Sequence, residues 1–217
     1  MHDFNISGNV LTALASGALW WAEERILTVS DLHFGKSERI SRRGGPILPP
    51  YEVRETLSRL ERDIEQCGAT TVICLGDSFD DLQATTGLRD SERLWIARLQ
   101  AGRNWIWIEG NHDPGPVGYA GSHLAEFSRF SLSFRHIAAS GAVGEVSGHF
   151  HPKHTVHAKG RSVTRPCFIY DACRVILPAY GTYTGGLRST DIKLRSLFGS
   201  NAMVVTTGKT VSVLPLR

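Results

Sequence analysis

The sequence has few cysteines and no pattern of a disulfide framework. Four occur among 217 residues, and no two of them form a Cys-x-x-Cys pair. Disulfide-stapled secreted domains and small zinc modules carry denser cysteine patterns. We therefore expect free, mostly buried thiols in a protein of a reducing compartment, at Cys67, Cys74, Cys167 and Cys173.

Long hydrophobic runs are also missing. The most apolar stretch near the N-terminus, residues 10–21, is interrupted by small and polar residues, and no lysine or arginine precedes it. It is shorter than the roughly 20 residues that span a bilayer. We interpret it as two strands that meet at Ser16 and Gly17, and we predict a cytoplasmic protein without a membrane span.

The sequence lacks a strong charge bias, low-complexity segments and internal repeats. Its net charge is +3, with 41% hydrophobic and 21% charged residues. Such a composition is typical of globular proteins and argues against disordered or fibrous ones. The weak positive charge permits a polyanionic partner without requiring one. The length predicts a single domain, residues 1–217.

The order of patterns along the chain predicts an α/β protein. Helices are predicted at 51–66 and 91–100, where apolar residues recur at helical spacing, and residues 36–50 are predicted to form a polar loop. A second, largely antiparallel sheet is predicted after residue 127, with strands at 130–134, 141–146, 174–177 and 203–205. Strands of the first sheet are predicted at 10–14, 18–21, 26–30, 71–75 and 105–108.

Polar motifs follow three of these strands directly, and a fourth motif lies in the second half of the chain. Because ligands bind at the carboxyl ends of strands in open α/β sheets, the first three motifs are expected to converge. Carboxylate, imidazole and amide ligands together suit Mn²⁺, Fe or Zn²⁺. The motifs are Asp31-x-His33, Gly76-Asp77-x-x-Asp80, Gly110-Asn111-His112-Asp113 and Gly148-His149-x-His151.

In order, spacing and identity these four motifs resemble the calcineurin-like metallophosphoesterase superfamily, over roughly residues 25–155. The resemblance implies a four-layer β-sandwich of two mixed sheets flanked by helices. It also implies two divalent metal ions, with manganese favoured over iron or zinc. The first ion would be held by Asp31, His33, Asp77 and His151, and the second by Asp77, Asn111, His149 and one more histidine.

That additional histidine has two candidates. His136 is our choice because it follows the predicted strand 130–134, as the middle histidine of the family follows a strand. His123 is the rival. Asp80 and Asp113 are expected to orient the ligands or His112 through hydrogen bonds.

Further segments are similar to one branch of the superfamily, the bacterial ligase-associated DNA-damage-response endonucleases. They include Trp105-Ile106-Trp107-Ile108 before the third motif, Arg165-Pro166-Cys167-Phe168, and Leu177-Pro178-Ala179-Tyr180-Gly181. The branch implies manganese-dependent cleavage of phosphodiester bonds, single-stranded DNA as substrate, and partners among repair proteins. Asp80 departs from the branch, in which a histidine is expected at this position.

The predicted mechanism uses a hydroxide that bridges the two metals and attacks phosphorus. His112 would assist the leaving group and Asp113 would raise its pKa. The basic residues Lys36, Arg42 and Arg43 follow the first motif and would guide a phosphate backbone into the site, although a solvated loop explains the same composition.

Two other functions fit the same residues. One is a phosphatase or pyrophosphatase that acts on a small nucleotide or metabolite, because substrate choice lies in the loops around a metal site. The other is a non-catalytic scaffold that kept the fold. A scaffold should have lost ligands or His112, and all of these positions are intact.

Overall fold

The structure is a computed structural model that describes residues 1–115, 117–158 and 160–216. The strands of the first sheet lie side by side in chain order. They are β1 (His2–Ile6), β2 (Asn9–Ala13), β3 (Leu19–Trp21), β4 (Ile26–Val29), β5 (Thr71–Leu75), β6 (Asn104–Ile108) and β7 (Ser122–Leu124). The helices are α1 (Lys36–Arg42), α2 (Glu52–Cys67), α3 (Ala84–Gly87), α4 (Asp90–Gln100) and α5 (Ile192–Arg195).

The first sheet changes character at β4. Strands β1 to β4 form an antiparallel meander, whereas β4, β5, β6 and β7 are parallel. Parallel neighbours need crossover connections, which are usually helical. Helix α2 lies between β4 and β5, and helix α4 lies between β5 and β6. This arrangement brings the carboxyl ends of β4, β5 and β6 to one edge.

The second sheet runs in the order β15-β14-β12-β13-β10-β9-β8, and β11 pairs with β12 beside this path. Strands β9, β10 and β13 are parallel neighbours, and the other pairs are antiparallel. The strands are β8 (Glu126–Arg129), β9 (Leu132–Arg135), β10 (Glu145–Ser147), β11 (Lys153–Ala158), β12 (Arg161–Tyr170), β13 (Arg174–Ile176), β14 (Met203–Thr206) and β15 (Val213–Pro215).

Three apolar cores separate four layers. The first lies between the α2–α4 helices and the first sheet and contains Leu57 and Ile96. The second lies between the two sheets, where Leu75 and Phe134 are fully buried. The third lies on the outer side of the second sheet and is covered in part by Leu194 of α5. The predicted four-layer sandwich of two mixed sheets is confirmed.

The prediction of a loop at residues 36–50 is wrong for its first half, because Lys36–Arg42 forms α1. The helix-breaking residues Gly44, Gly45 and Pro46 follow this helix. Tertiary contacts support it, since the Ser37 amide donates to the buried Glu52 carboxylate at 3.1 Å. A helix of only seven residues leaves too short a periodic pattern to be seen in the sequence.

The four cysteines are free, as predicted; Cys74 and Cys167 are buried and the other two are half-buried. No helix within the described residues has the length and apolar character needed to cross a membrane.

Candidate metal centre

The predicted ligands lie where parallel strands of both sheets end. Asp31, Asp77 and Asn111 follow β4, β5 and β6. From the second sheet, His136 directly follows β9, and His149 follows the neighbouring parallel strand β10. The sandwich therefore brings side chains from two sheets to one place.

The first group of facing side chains, called half-site A, consists of Asp31, His33 and His151. Their ligand atoms lie within 4.8 Å of one another. The Nε2 atoms of the two histidines face each other at 3.4 Å, and His151 Nε2 lies 3.0 Å from Asp31 Oδ1. Burial opposes ionisation of Asp31, but the close contact and charge of His151 outweigh it and lower the pKa of this carboxyl. Half-site A thus combines a buried carboxylate with two convergent imidazoles.

The second group, called half-site B, consists of Asp77, His136 and His149. His136 Nε2 lies 3.4 Å from Asp77 Oδ2 and 3.2 Å from His149 Nδ1. The amide oxygen of Asn111 lies 3.0 Å from the same His136 nitrogen. Burial disfavours the charged Asp77, yet its hydrogen bond with His136 and the charges around it lower the pKa to about 2. The four residues that were expected to hold the second ion therefore meet here.

The choice between His136 and His123 is visible in their contacts. His136 Nδ1 donates to the carbonyl oxygen of Leu75 at 2.7 Å, which leaves its Nε2 facing Asp77. His123 stacks on Trp107 and directs Nε2 to the carbonyl oxygen of Tyr119 at 3.0 Å. The structure therefore brings His136, and not His123, to the other candidate ligands.

The backbone of the centre is held in an unfavourable conformation. Nine non-glycine residues in the described ranges have φ between 46° and 68°, and five of them are candidate ligands. Left-handed backbone at such residues costs roughly 1–3 kcal/mol each and persists where the surrounding structure imposes it, often at functional sites. The five are Asp31, His33, Asp77, His149 and His151.

Two glycines allow the strand ends to approach one another. A Cβ atom at Gly110 would lie 2.1 Å from the Asp77 amide nitrogen, and one at Gly148 would lie 1.7 Å from Ser30 Oγ. Any side chain at either position would push the loops apart. Ser30 itself donates to Asp31 Oδ2 at 2.5 Å, a contact that the sequence analysis missed because a serine before the motif carries no spacing signal.

Asp80 supports half-site A from outside. Its buried carboxylate lies 2.7 Å from His33 Nδ1 and 3.2 Å from Lys36 Nζ, and Arg39 Nε donates to its other oxygen. Burial opposes ionisation, but the contact with His33 and the neighbouring cations lower the pKa of Asp80. A carboxylate paired with two cations is a poor ligand for a third metal, although His33, Asp80 and His112 also lie close together. Asp80 thus orients His33, as expected of an outer carboxylate.

Asp113 contacts the backbone, and no hydrogen bond or ion pair joins it to His112 among the described residues. The two Asp113 oxygens accept hydrogen bonds from four backbone amides, at 2.8–3.1 Å, in the turns around the metal ligands. Burial is the main reason that the pKa of Asp113 is raised, to about 6. Asp113 therefore holds the turn after β5 through these hydrogen bonds. The amides belong to Asp77, Ser78, Phe79 and Gly110.

His112 is oriented instead by the backbone of Asp80. Its Nδ1 donates to the Asp80 carbonyl oxygen at 2.8 Å, which fixes the tautomer and leaves Nε2 free. That atom lies 4.0 Å from Asp77 Oδ2, and the side chain is 30% exposed. His112 therefore presents one ring nitrogen to a substrate beside half-site B.

The basic residues of α1 lie near the centre but are mostly paired. Lys36 contacts Asp80, and Arg42 contacts the Asp81 carboxylate at 2.9 Å. Arg42 and Arg43 line an open cavity of about 640 Å³ together with Asn111 and His112. Of the predicted substrate-guiding residues, Arg42 and Arg43 thus line the cavity. Lys36 instead contacts Asp80, the carboxylate that supports half-site A.

The residues of both half-sites fit divalent metal ions. Neutral imidazole is the ligand form of histidine, and burial lowers the pKa of His33 and His149. Burial lowers the pKa of His136, but the hydrogen bond with Asp77 and the charge of Asp31 outweigh burial and raise it. The surroundings of His136 therefore favour a positive charge. Asp31 Oδ1 is buried without a hydrogen bond of good geometry among the described residues. A carboxylate oxygen and imidazole nitrogens that point to one place, with no proton shared between them, are typical of a metal site.

Comparison with known proteins identifies the family. Residues 24–171 match the model of the calcineurin-like phosphoesterase family. The chain belongs to this family. The family assignment, together with the ligand groups above, makes it a metal-dependent phosphoesterase and confirms the resemblance seen in the motifs.

Solved structures extend the comparison to the whole chain. The structure is similar to that of nuclease MPE from Pseudomonas putida, with a TM-score of 0.74 and 25% identity over 99% of this chain and 98% of that one. A conserved uncharacterized protein of Streptococcus pneumoniae, a predicted phosphoesterase, matches with a TM-score of 0.29 and 14% identity over 88% of each chain. Comparison with curated proteins gives no significant match.

Proposed function

We propose that this protein is a binuclear phosphodiesterase that cuts single-stranded DNA internally, with manganese as the favoured metal, in cytoplasmic DNA repair. The observation that carries the proposal is the pair of half-sites at one edge of a fold shared end to end with a nuclease. Its substrate, metal, location and repair-protein partners are part of the proposal.

Two half-sites suit a phosphate ester that needs stabilisation on more than one oxygen. Two divalent ions, when bound, supply Lewis acidity and a nucleophile derived from water at neutral pH. Asp31, His33 and His151 would hold one ion, and Asp77, Asn111, His136 and His149 the other. Asp77 would contribute to holding both ions, so loss of its carboxylate is expected to affect both half-sites.

His112 would move the proton of the reaction. Because Nδ1 donates to the Asp80 carbonyl oxygen, the exchangeable proton is carried on Nε2. In the imidazolium form this atom can donate to the leaving alkoxide, which otherwise departs as a strong base. Asp113 acts at a distance from the proton, by keeping the turn that carries Asp77 in place.

The cavity beside His112 favours a polymer over a small metabolite. It is open, and its lining includes Arg42, Arg43 and Asp81 together with Asn111 and His112. An open groove with arginines in its lining accommodates a phosphate chain that enters and leaves. A closed pocket would instead fit a phosphatase or pyrophosphatase that encloses a small substrate.

The decisive experiment uses a circular single-stranded DNA, which has no ends and is cut only internally. Purified protein is titrated with Mn²⁺ on this DNA and, in parallel, on bis-p-nitrophenyl phosphate. Cleavage of both substrates, lost in Asp77→Ala, is the expected result. The matched control is Asp81→Ala, a carboxylate near the same loop that pairs with Arg42 on the surface.

The outcomes separate the competing functions. Hydrolysis of the small diester alone would reject DNA as substrate and direct the search to nucleotides and other small phosphate esters. Inactivity on both substrates with bound metal would favour a scaffold. Equal activity of wild type and Asp77→Ala would contradict the metal site itself.

A further inference from the structure

Strands β11 and β12 form a two-stranded antiparallel ribbon that begins two residues after His151. Six pairs join them, from Lys153 opposite Pro166 to Ala158 opposite Arg161. The far half of β12, residues 161–165, is exposed, whereas its near half, residues 167–169, is buried in the second sheet. The ribbon therefore leaves the sheet and extends into solvent. At about 3.4 Å per residue, it reaches roughly 17 Å beyond its base.

The base of the ribbon is tied to the metal centre. The Lys153 amide donates to the Leu187 carbonyl at 2.8 Å, and the Leu187 amide donates to the Phe150 carbonyl at 3.0 Å. Lys153 Nζ donates to the carbonyl oxygen of Thr184 at 2.9 Å. Phe150 lies between the candidate ligands His149 and His151. The ribbon therefore begins directly beside the candidate metal ligands.

The two faces of the ribbon differ in how far their polar groups are satisfied. Directly opposed residues of an antiparallel pair share a face. On one face, Thr155 Oγ1 and Thr164 Oγ1 lie 2.8 Å apart, and Ser162 Oγ and His157 Nδ1 lie 2.9 Å apart. Its hydroxyl and imidazole groups therefore bond across the ribbon, which reduces their capacity for a ligand.

The other face carries Arg161, Val163 and Arg165, all exposed. Within the described ranges of the chain, neither arginine takes part in an ion pair. No aspartate or glutamate occurs between Glu145 and Asp171 in the sequence. This face thus presents two uncompensated guanidinium groups, about 14 Å apart at strand spacing, with an apolar side chain between them.

Helix α1 makes the contrast clear. Its Lys36, Arg39 and Arg42 are neutralised by the carboxylates of Asp80 and Asp81. The ribbon has no such partners among the described residues. An exposed cation that is not paired within the protein releases condensed counterions when it contacts a polyphosphate, which favours binding. Val163 adds an apolar surface that a base can cover.

We propose that the Arg161–Val163–Arg165 face of the ribbon binds the phosphate backbone of single-stranded DNA beside the metal centre. The inference rests on the proposed function and adds a second contact site for the same substrate. Each phosphate contact on single-stranded nucleic acid contributes about 0.7 to the slope of log affinity against log salt. At 0.1 M salt this corresponds to about fivefold in affinity for each contact, and to about 25-fold for two.

The test compares Arg161→Gln/Arg165→Gln with Arg93→Gln/Arg98→Gln. Both double variants lower the net charge by two, but Arg93 and Arg98 lie on α4, in the helical layer of the other sheet. Cleavage of circular single-stranded DNA is measured with manganese-loaded protein over a range of salt, and kcat and KM are separated. Hydrolysis of bis-p-nitrophenyl phosphate reports whether the metal centre remains intact.

The ribbon variant is expected to raise KM for DNA by up to about 25-fold at 0.1 M salt. The slope of log KM against log salt should decrease by about 1.4. Its kcat and its activity on the small diester should match wild type, as should all values of the α4 variant. An unchanged KM and salt slope in the ribbon variant would overturn the inference while leaving the proposed function in place. Wild-type protein that cleaves the small diester but not DNA would overturn both.

Discussion

Half-sites A and B contain the same kinds of ligand but are supported differently. In half-site A, His33 is fixed by the Asp80 carboxylate, which is in turn held by Lys36 and Arg39 of α1. In half-site B, His136 is fixed by a backbone carbonyl at the end of β5. One support is a network of charged side chains from a separate helix, and the other is part of the sheet.

The difference indicates which parts of the centre depend on distant residues. A side-chain network can be altered by one substitution without disturbing the strands, whereas a strand-end carbonyl cannot be removed by mutation. The support of His33 in half-site A should therefore be adjustable by substitutions in α1, whereas no side-chain substitution removes the carbonyl that supports His136 in half-site B. The following predictions test this comparison.

The largest effect is expected from the loss of one histidine ligand in either half-site. His151→Ala and His136→Ala should each lower phosphodiesterase activity on the order of 10⁴-fold, because loss of an ion removes several kcal/mol of charge stabilisation. Steady-state hydrolysis of bis-p-nitrophenyl phosphate with excess Mn²⁺ measures the effect. His123→Ala is the matched control and should retain activity. A large loss of activity in this control would indicate that His123 is a metal ligand.

His112→Ala should leave both half-sites loaded and slow the chemical step. The expected loss is roughly 10²–10⁴-fold in kcat, the usual contribution of a general acid. It should be smaller for bis-p-nitrophenyl phosphate than for DNA, because p-nitrophenolate is the better leaving group. Metal content measured on the same preparation distinguishes the roles, and a variant that no longer binds metal would contradict proton transfer by His112.

Asp80→Asn should affect half-site A alone. Removing the charge leaves Lys36 and Arg39 without a partner and frees the His33 ring, and loss of such an outer carboxylate costs roughly 10- to 100-fold in metal affinity. Calorimetric titration with Mn²⁺ should show one weakened site and one unchanged site. Asp81→Asn, which removes a surface partner of Arg42, should change neither. Equal weakening of both sites would remove the distinction between the half-sites.

Asp113→Asn should reduce stability more than chemistry. The asparagine amide would place its own N–H against backbone N–H groups whose hydrogen bonds the carboxylate now accepts. An unsatisfied buried donor costs about 1–3 kcal/mol. Urea unfolding of the metal-free protein should show this loss. Asp90→Asn is a control at an 86% exposed carboxylate. Unchanged stability would mean that the turn after β5 is held by other contacts.

The sequence predicted the parts of the centre that depend on strand order. Asp31, Asp77 and Asn111 follow strands whose apolar runs are easily seen, and parallel strands bring their ends together by geometry alone. The role of Asp113 was missed because hydrogen bonds to backbone amides leave no spacing pattern. The ribbon was missed because its strands, β11 mostly half-buried and the far half of β12 exposed, show no apolar alternation. His136 followed from the position of a strand, while its contact with Leu75 required the fold.

The most direct test of the account is a count of metal ions per chain. Purified wild type, His151→Ala, His136→Ala and the double variant are equilibrated with Mn²⁺, freed of excess metal and measured by mass spectrometry with the protein concentration determined independently. The account predicts two ions in wild type, one in each single variant and none in the double variant. A single ion in wild type, or the loss of the same ion in both single variants, would contradict two separate half-sites.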